Sequence, residues 1–205
     1  LGITGLTSDI FENQQNRGDT DIFVTELTTN GAINWSKTFG SSKFDAGNKI
    51  TTTSNGDYII AGRTTGTIEG TTKDSSSNGF VLALTGSGDQ KWASYPGVDA
   101  YTITGIDTDK QDNIYITGIQ NHEDGFAAKL DPNGLAVWHD SFGTSGYDRG
   151  EALALGRDGL PYISGRTTGN LEGKQNAGGS DIFIRKYSQQ GELLWTKLIG
   201  DQGDN

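Results

Sequence analysis

Four oxygen-bearing side chains occupy equivalent places along the chain, each two residues before a phenylalanine: Asp21, Asn78, Asp124 and Asp181. Hard oxygen ligands of this type suit calcium, and Asp19 and Ser180 add oxygens beside two of them. The same side chains also cap turns by accepting hydrogen bonds from nearby backbone N–H groups. Recurrence in every copy favours capping, with calcium as the alternative. A second acidic set, Asp45, Asp148 and Asp204, with Asp99 offset, follows shortly after a recurring glycine. It reads as a hydrogen-bonding device at the passage between units. The functional alternative is an acidic ring aimed at a central channel. Asp107, Asp109 and Asp112 resemble part of an EF-hand loop, but the glycine and the distal bidentate glutamate of such a loop are missing. They read as a solvated turn.

Two further segments carry ligand chemistry. Arg63-Thr64-Thr65-Gly66 and Arg166-Thr167-Thr168-Gly169 are each followed by a Glu-Gly pair, at Glu69 and Glu172. Arginine, threonine and glutamate on repeated surface loops could form polar carbohydrate contacts, against the simpler reading of loop packing. The tryptophans Trp35, Trp92, Trp138 and Trp195 could stack on sugars, but at fixed strand positions they read as packing residues. Catalysis finds no comparable support. The two histidines, His122 and His139, stand in different contexts, and no nucleophile elbow or phosphate loop is present. The chain is therefore read as a non-enzyme.

The elements that must position these residues are repeated. Each tryptophan is preceded at twelve residues by a phenylalanine (Phe23, Phe80, Phe126, Phe183) and at four by a glycine (Gly31, Gly88, Gly134, Gly191). Five residues after it comes another glycine: Gly40, Gly97, Gly143 and Gly200. DIFVTEL (21–27), GFVLAL (79–84), GFAAKL (125–130) and DIFIRKY (181–187) read as strands, each followed by a glycine-bearing turn and a strand with the tryptophan. Upstream lies a strand ending at Gly5, Gly62, Gly118 or Gly165, and before three of these a further strand is legible. A glycine-marked, four-stranded unit that recurs predicts a radial β-propeller, because one sheet cannot bury both faces alone. Loops of about ten extra residues interrupt the first, second and fourth units and are absent from the third, IQNHED (119–124).

The units GGSDIFIRKYSQQGELLWTKLIG (178–200), DGFAAKLDPNGLAVWHDSFG (124–143) and NIYITG (113–118) resemble the SBBP family of bacterial β-propeller repeats. The resemblance implies propeller modules in large exported or surface bacterial proteins and supplies no catalytic residues. The expected organisation is one repeat region over 1–205, with units near 1–40 (partial), 41–97, 98–143 and 144–200, and 201–205 opening the next. A larger repeat array is favoured over a complete four-blade ring.

Composition sets the outer limits. With 26 acidic and 16 basic residues the net charge is −10, which argues against a nucleic-acid groove and against binding an anionic membrane. Cysteine is absent, so no disulfide framework is available. The expected role is a non-catalytic structural or protein-interaction propeller of a secreted or cell-surface protein, with other proteins as partners. The alternative is a glycan-binding, calcium-assisted propeller.

Overall fold

Strand formation follows from β-branched and aromatic residues set between glycine turns, and the computed structural model, which describes residues 1–73 and 78–203, is all-β. The first sheet has three strands, β1 (Gly2–Thr7), β2 (Asp21–Leu27) and β3 (Ile33–Phe39). The second comprises β4 (Asp45–Thr52), β5 (Tyr58–Thr64), β6 (Gly79–Leu84) and β7 (Gln90–Ser94). The third comprises β8 (Ala100–Thr108), β9 (Ile114–Gln120), β10 (Asp124–Leu130) and β11 (Ala136–Phe142). The fourth comprises β12 (Asp148–Leu155), β13 (Pro161–Thr167), β14 (Asp181–Tyr187) and β15 (Leu193–Ile199). All pairings within these sheets are antiparallel between sequence neighbours, so each is a meander, the blade of a β-propeller. Leu171–Gly173 forms a short 3-10 turn.

The apolar core lies between blades. Ile22, Val24 and Phe39 of blade 1 pack against Tyr58, Ile60, Phe80 and Leu82 of blade 2. Ile59, Val81 and Ala83, on the opposite face of blade 2, pack against Ile103, Ile116 and Phe126 of blade 3. Ala127 and Phe142 of blade 3 then meet Ile163, Phe183 and Tyr187 of blade 4. Alternation along a strand feeds two different seams, as with Ile59 and Ile60, because successive side chains point to opposite faces.

The glycine and phenylalanine markers are cross-strand partners. Gly5 pairs with Phe23, Gly62 with Phe80, Gly118 with Phe126 and Gly165 with Phe183. These glycines do not end their strands; β5, β9 and β13 each run two residues further. A side chain on Gly165 would overlap the Arg149 carbonyl oxygen and the Phe183 ring, and one on Gly62 or Gly118 would overlap a backbone oxygen of the preceding strand. The register slips beside them, at Gly47/Lys49, Ala100/Thr102 and Gly150/Ala152, and these bulges carry the backbone into the space a Cβ would need. In the turn before each tryptophan, Gly31, Gly88, Gly134 and Gly191 have φ of +84°, +80°, +80° and +88°, the left-handed region that glycine enters freely.

The turn glycine also serves the seam. The Trp35 ring covers Gly88 of the next blade while its Nε1–H donates to Gly86 O at 3.1 Å. Trp92 covers Gly134, and Trp138 covers Gly191 with its Nε1–H donating to Gln189 O at 3.0 Å. Tryptophan therefore packs blade on blade three times in succession.

Candidate functional site

The two acidic sets, read separately in the sequence, meet in space. A parallel bridge joins Thr20 to Phe44, with Asp45 N–H donating to Thr20 O at 3.0 Å. Asp21 and Asp45, the residues that follow, are thereby brought side by side at the first blade junction, and both are fully buried. Asp21 Oδ2 accepts from the Arg17 backbone N–H. Asp45 Oδ2 accepts from the Ser41 N–H at 2.7 Å and the Ser41 hydroxyl at 2.8 Å. Each carboxylate thus holds the loop four residues upstream with one oxygen. The other oxygen, Oδ1, is buried in both residues and has no hydrogen-bond partner among the described residues. Gly40 faces the pair: a Cβ there would overlap Asp21 Oδ1 and stand 2.9 Å from Asp45 Oδ2.

Part of the arrangement recurs at the third junction, where Asp148 is fully buried and Asp124 half-buried. Asp148 N–H donates to Glu123 O at 2.7 Å, which sets Asp148 beside Asp124. Asp148 Oδ2 accepts from Thr144 N–H and the Thr144 hydroxyl, the latter at 2.8 Å, and its buried Oδ1 has no partner. Gly143 repeats the role of Gly40, since a Cβ there would overlap Asp124 Oδ1. At the fourth copy Asp181 Oδ2 accepts from Ala177 N–H at 2.8 Å, its Oδ1 has no partner among the described residues, and Gly200 leaves it room. Asp204 lies outside the described residues. The glycine five residues after Trp35, Trp138 and Trp195 is thus the space a carboxylate needs.

The second junction differs in composition and supports the same logic. Asn78 replaces the aspartate, Ala100 stands where Asp45 and Asp148 stand in their sheets, and a Cβ on Gly97 would meet nothing. The Lys73 ammonium donates to Asn78 Oδ1 at 2.7 Å and to Thr64 O at 3.4 Å. Asp99 is exposed, in a left-handed conformation (φ +47°).

Electrostatically the pairs are costly. Burial and then the neighbouring Asp45 raise the Asp21 carboxyl above its usual range, against the lowering effects of the Arg17 N–H and guanidinium. Burial, Asp148 and Glu123 raise Asp124 likewise. A raised folded-state value means that ionisation weakens the fold as pH rises through it. Ionised Asp21 and Asp124 therefore oppose the fold at neutral pH unless positive charge joins them. The Arg17 guanidinium is turned away, bonded to Glu69 at 2.9 Å. Asp45 and Asp148, of the second set, are fully buried and so do not line a channel as an acidic ring.

The residues considered for carbohydrate contacts are placed otherwise than the sequence suggests. Arg63 and Thr64 belong to β5, and Arg166 and Thr167 to β13, rather than to surface loops. Thr64 and Thr167 are fully buried and accept from Gly66 N–H (2.9 Å) and Gly169 N–H (3.1 Å). The Arg63 guanidinium lies 4.0 Å from the Tyr101 ring centroid, and Arg166 Nε lies 3.2 Å from Glu151. Glu69 is held by Arg17, and Glu172 by Arg185 at 2.9 Å. Asp107, Asp109 and Asp112 are also more engaged than a solvated turn. Asp109 accepts from the Asn113 N–H at 3.0 Å and the Tyr115 hydroxyl at 3.2 Å. Asp107 accepts from the Leu155 N–H, and Asp112 from the Ser54 N–H of the neighbouring blade, at 2.8 and 2.7 Å.

One cluster had no repeated sequence signal. Arg185 is 1% exposed and donates from Nε to the Tyr187 hydroxyl (2.7 Å), from Nη1 to Glu172 (2.9 Å) and from Nη2 to Asp140 (3.1 Å). Its guanidinium lies 4.3 Å from the centroid of Phe142, and the Tyr187 hydroxyl also donates to Asp140. The equivalent positions hold Thr25, Leu82 and Ala128, so the network is peculiar to the seam between blades 3 and 4.

None of the protein-family models matches the chain, and no curated protein matches it. In structure it is similar to a crystallised protein of unknown function from Bacteroides caccae, with a TM-score of 0.52 and 12% identity over 96% of this chain. The chain spans 58% of that protein's length, and the likeness at this identity is one of fold alone.

Proposed function

We propose that the chain is a non-catalytic structural and protein-interaction module of a secreted or cell-surface bacterial protein, working as part of a larger repeat array. One observation carries this reading. The seam of tryptophan on turn glycine is made three times inside the molecule, and its two complementary halves recur unpaired at the outer blades. Trp195 is 42% exposed, beside exposed Leu194 and Ile199, while a Cβ on Gly31 would meet nothing within 4 Å. Blade 1 exposes Leu1, Ile3 and Ile33 on the face turned away from blade 2. Contiguous apolar surface of this kind marks an interaction site, and the occupant whose shape fits is another blade of the same type. In the array that occupant is the adjoining blade; for the isolated chain the fitting occupant is blade 1 of a second copy, joined head to tail with its Gly31 turn under Trp195.

The carbohydrate-binding alternative is weaker because its arginines and glutamates already serve internal contacts. Localisation and partner class rest on the resemblance to bacterial propeller repeats and on the net charge of −10. The test is sedimentation of the purified chain over a range of concentrations. Expected is reversible association that Trp195→Ala abolishes while leaving the melting temperature within a degree or two. Trp138→Ala, by contrast, is expected to cost about 3 kcal/mol of stability, because it empties an occupied seam. A chain that stays monomeric throughout, or an association indifferent to Trp195→Ala, overturns the reading.

A further inference from the structure

We propose that the chain binds divalent cations, calcium by donor chemistry, at two blade junctions: between Asp21 and Asp45, and between Asp124 and Asp148. This goes beyond the interaction role and does not depend on it. The argument begins from the oxygens. Asp21, Asp45 and Asp148 each place one fully buried carboxylate oxygen where no N–H or O–H of the described residues reaches it. Burying an acceptor without a donor is costly, and burying two like charges together is costlier still. Capping alone does not use the second oxygen, because Asp21, Asp45 and Asp148 each hold their own loop through Oδ2 and leave a buried Oδ1 over. A cation between the carboxylates satisfies the free oxygens of Asp21 and Asp45 at the first junction and of Asp148 at the third, and cancels the repulsion in one step.

The second junction is the internal control. There both carboxylates are absent, and the group found against the junction oxygens is itself a cation, the Lys73 ammonium on Asn78 Oδ1 and Thr64 O. At the first junction the corresponding donor to the equivalent carbonyl, Thr7 O, is the neutral amide of Asn16 at 3.0 Å. The lysine therefore stands where the carboxylates are missing, and a neutral amide takes its place where Asp21 and Asp45 are present. A fixed ammonium and a bound metal ion would be alternative ways of placing positive charge among the same oxygens.

Calcium is preferred over a transition metal because every side chain offered is a hard oxygen donor, with no histidine or cysteine at either pair. Magnesium, which demands a tighter octahedron, is expected to bind more weakly. Two carboxylates, with backbone oxygens and water completing the shell, correspond to the weak class of extracellular site, with dissociation constants of about 10⁻⁴–10⁻³ M.

The experiment is calorimetric titration of chelator-treated full chain with calcium chloride, alongside thermal melting in calcium, magnesium and EDTA. Expected are two sites per chain, a melting temperature higher in calcium than in EDTA, and a smaller rise in magnesium. Asp45→Asn should remove one site and Asp148→Asn the other, each lowering affinity at its own junction at least tenfold. Asp99→Asn, outside both pairs, should retain two. Circular dichroism confirms that each variant is folded. Since asparagine keeps an oxygen in the capping position, a misfolded Asp45→Asn is replaced by Asp21→Asn for the same readout. Absence of calcium heat from folded protein, with identical melting in calcium and EDTA, overturns the proposal and leaves a shared proton as the charge-relieving device. Calcium binding that survives both Asp45→Asn and Asp148→Asn overturns the assignment of the sites.

Discussion

Replacing Arg185 by alanine is expected to destabilise the chain by about 3 kcal/mol, measured as a lower urea midpoint with unchanged slope. The estimate follows from what the side chain leaves behind. Its guanidinium is fully buried, stacked on Phe142, and bonded to Asp140, Glu172 and Tyr187. Removal opens a cavity between blades 3 and 4 and strips a partner from each of those groups. The loss stays at the lower end for a broken buried pair because Asp140 and Glu172 are 34% and 35% exposed and can rehydrate. Tyr187 keeps its own bond to Asp140, and burial, opposed in part by Arg185, holds its phenol protonated far above neutral pH. Arg185→Met, which refills the space without charge, should recover about half of the loss. Equal losses in the two variants would show that the charge, not the packing, holds this seam. No loss in either would remove the network from any account of stability.

Gly165→Ala is expected to cost at least about 3 kcal/mol, or to prevent folding, although it adds a single methyl group. The new carbon would overlap the Arg149 carbonyl oxygen and lie against the Phe183 ring. A rotamer change could move the ring, but the carbonyl belongs to a bulged backbone and cannot turn away without breaking the β12–β13 register. Gly56→Ala makes the comparison. Gly56 has φ of +86° with nothing within 4 Å of a Cβ, so only the left-handed backbone penalty applies, about 1 kcal/mol. Equal melting temperatures for the two variants would sink the steric account of the strand glycine.

The blades are legible in the sequence because each is written several times. Phenylalanine, glycine and tryptophan in fixed register identify the hairpins, and the strands over 21–27 and 79–84 are found with the boundaries they have in the fold. What escapes is anything that depends on pairing across strands or blades. Gly62 looks like a strand terminus because a residue without a side chain resembles punctuation, yet it sits inside β5 opposite Phe80. For the same reason Arg63 and Thr64 look like loop residues. The two acidic sets appear as separate signals because Asp21 and Asp45 lie in different blades, and only the bridge from Thr20 to Phe44 unites them. Arg185 has no counterpart in the other copies, so repetition, the feature that exposes everything else, gives it no emphasis.

Because every core is shared between two sheets, no blade owns an interior. A blade removed from the row would take half a core with it and leave half behind, so the smallest stable piece is a pair. Stability then accumulates along the row as in a one-dimensional chain of coupled units, where neighbours matter and distant blades do not. The two inner blades are each clamped on both faces, the outer two on one. Opening should therefore begin at the ends and travel inward, with the seam between blades 2 and 3 the last to part.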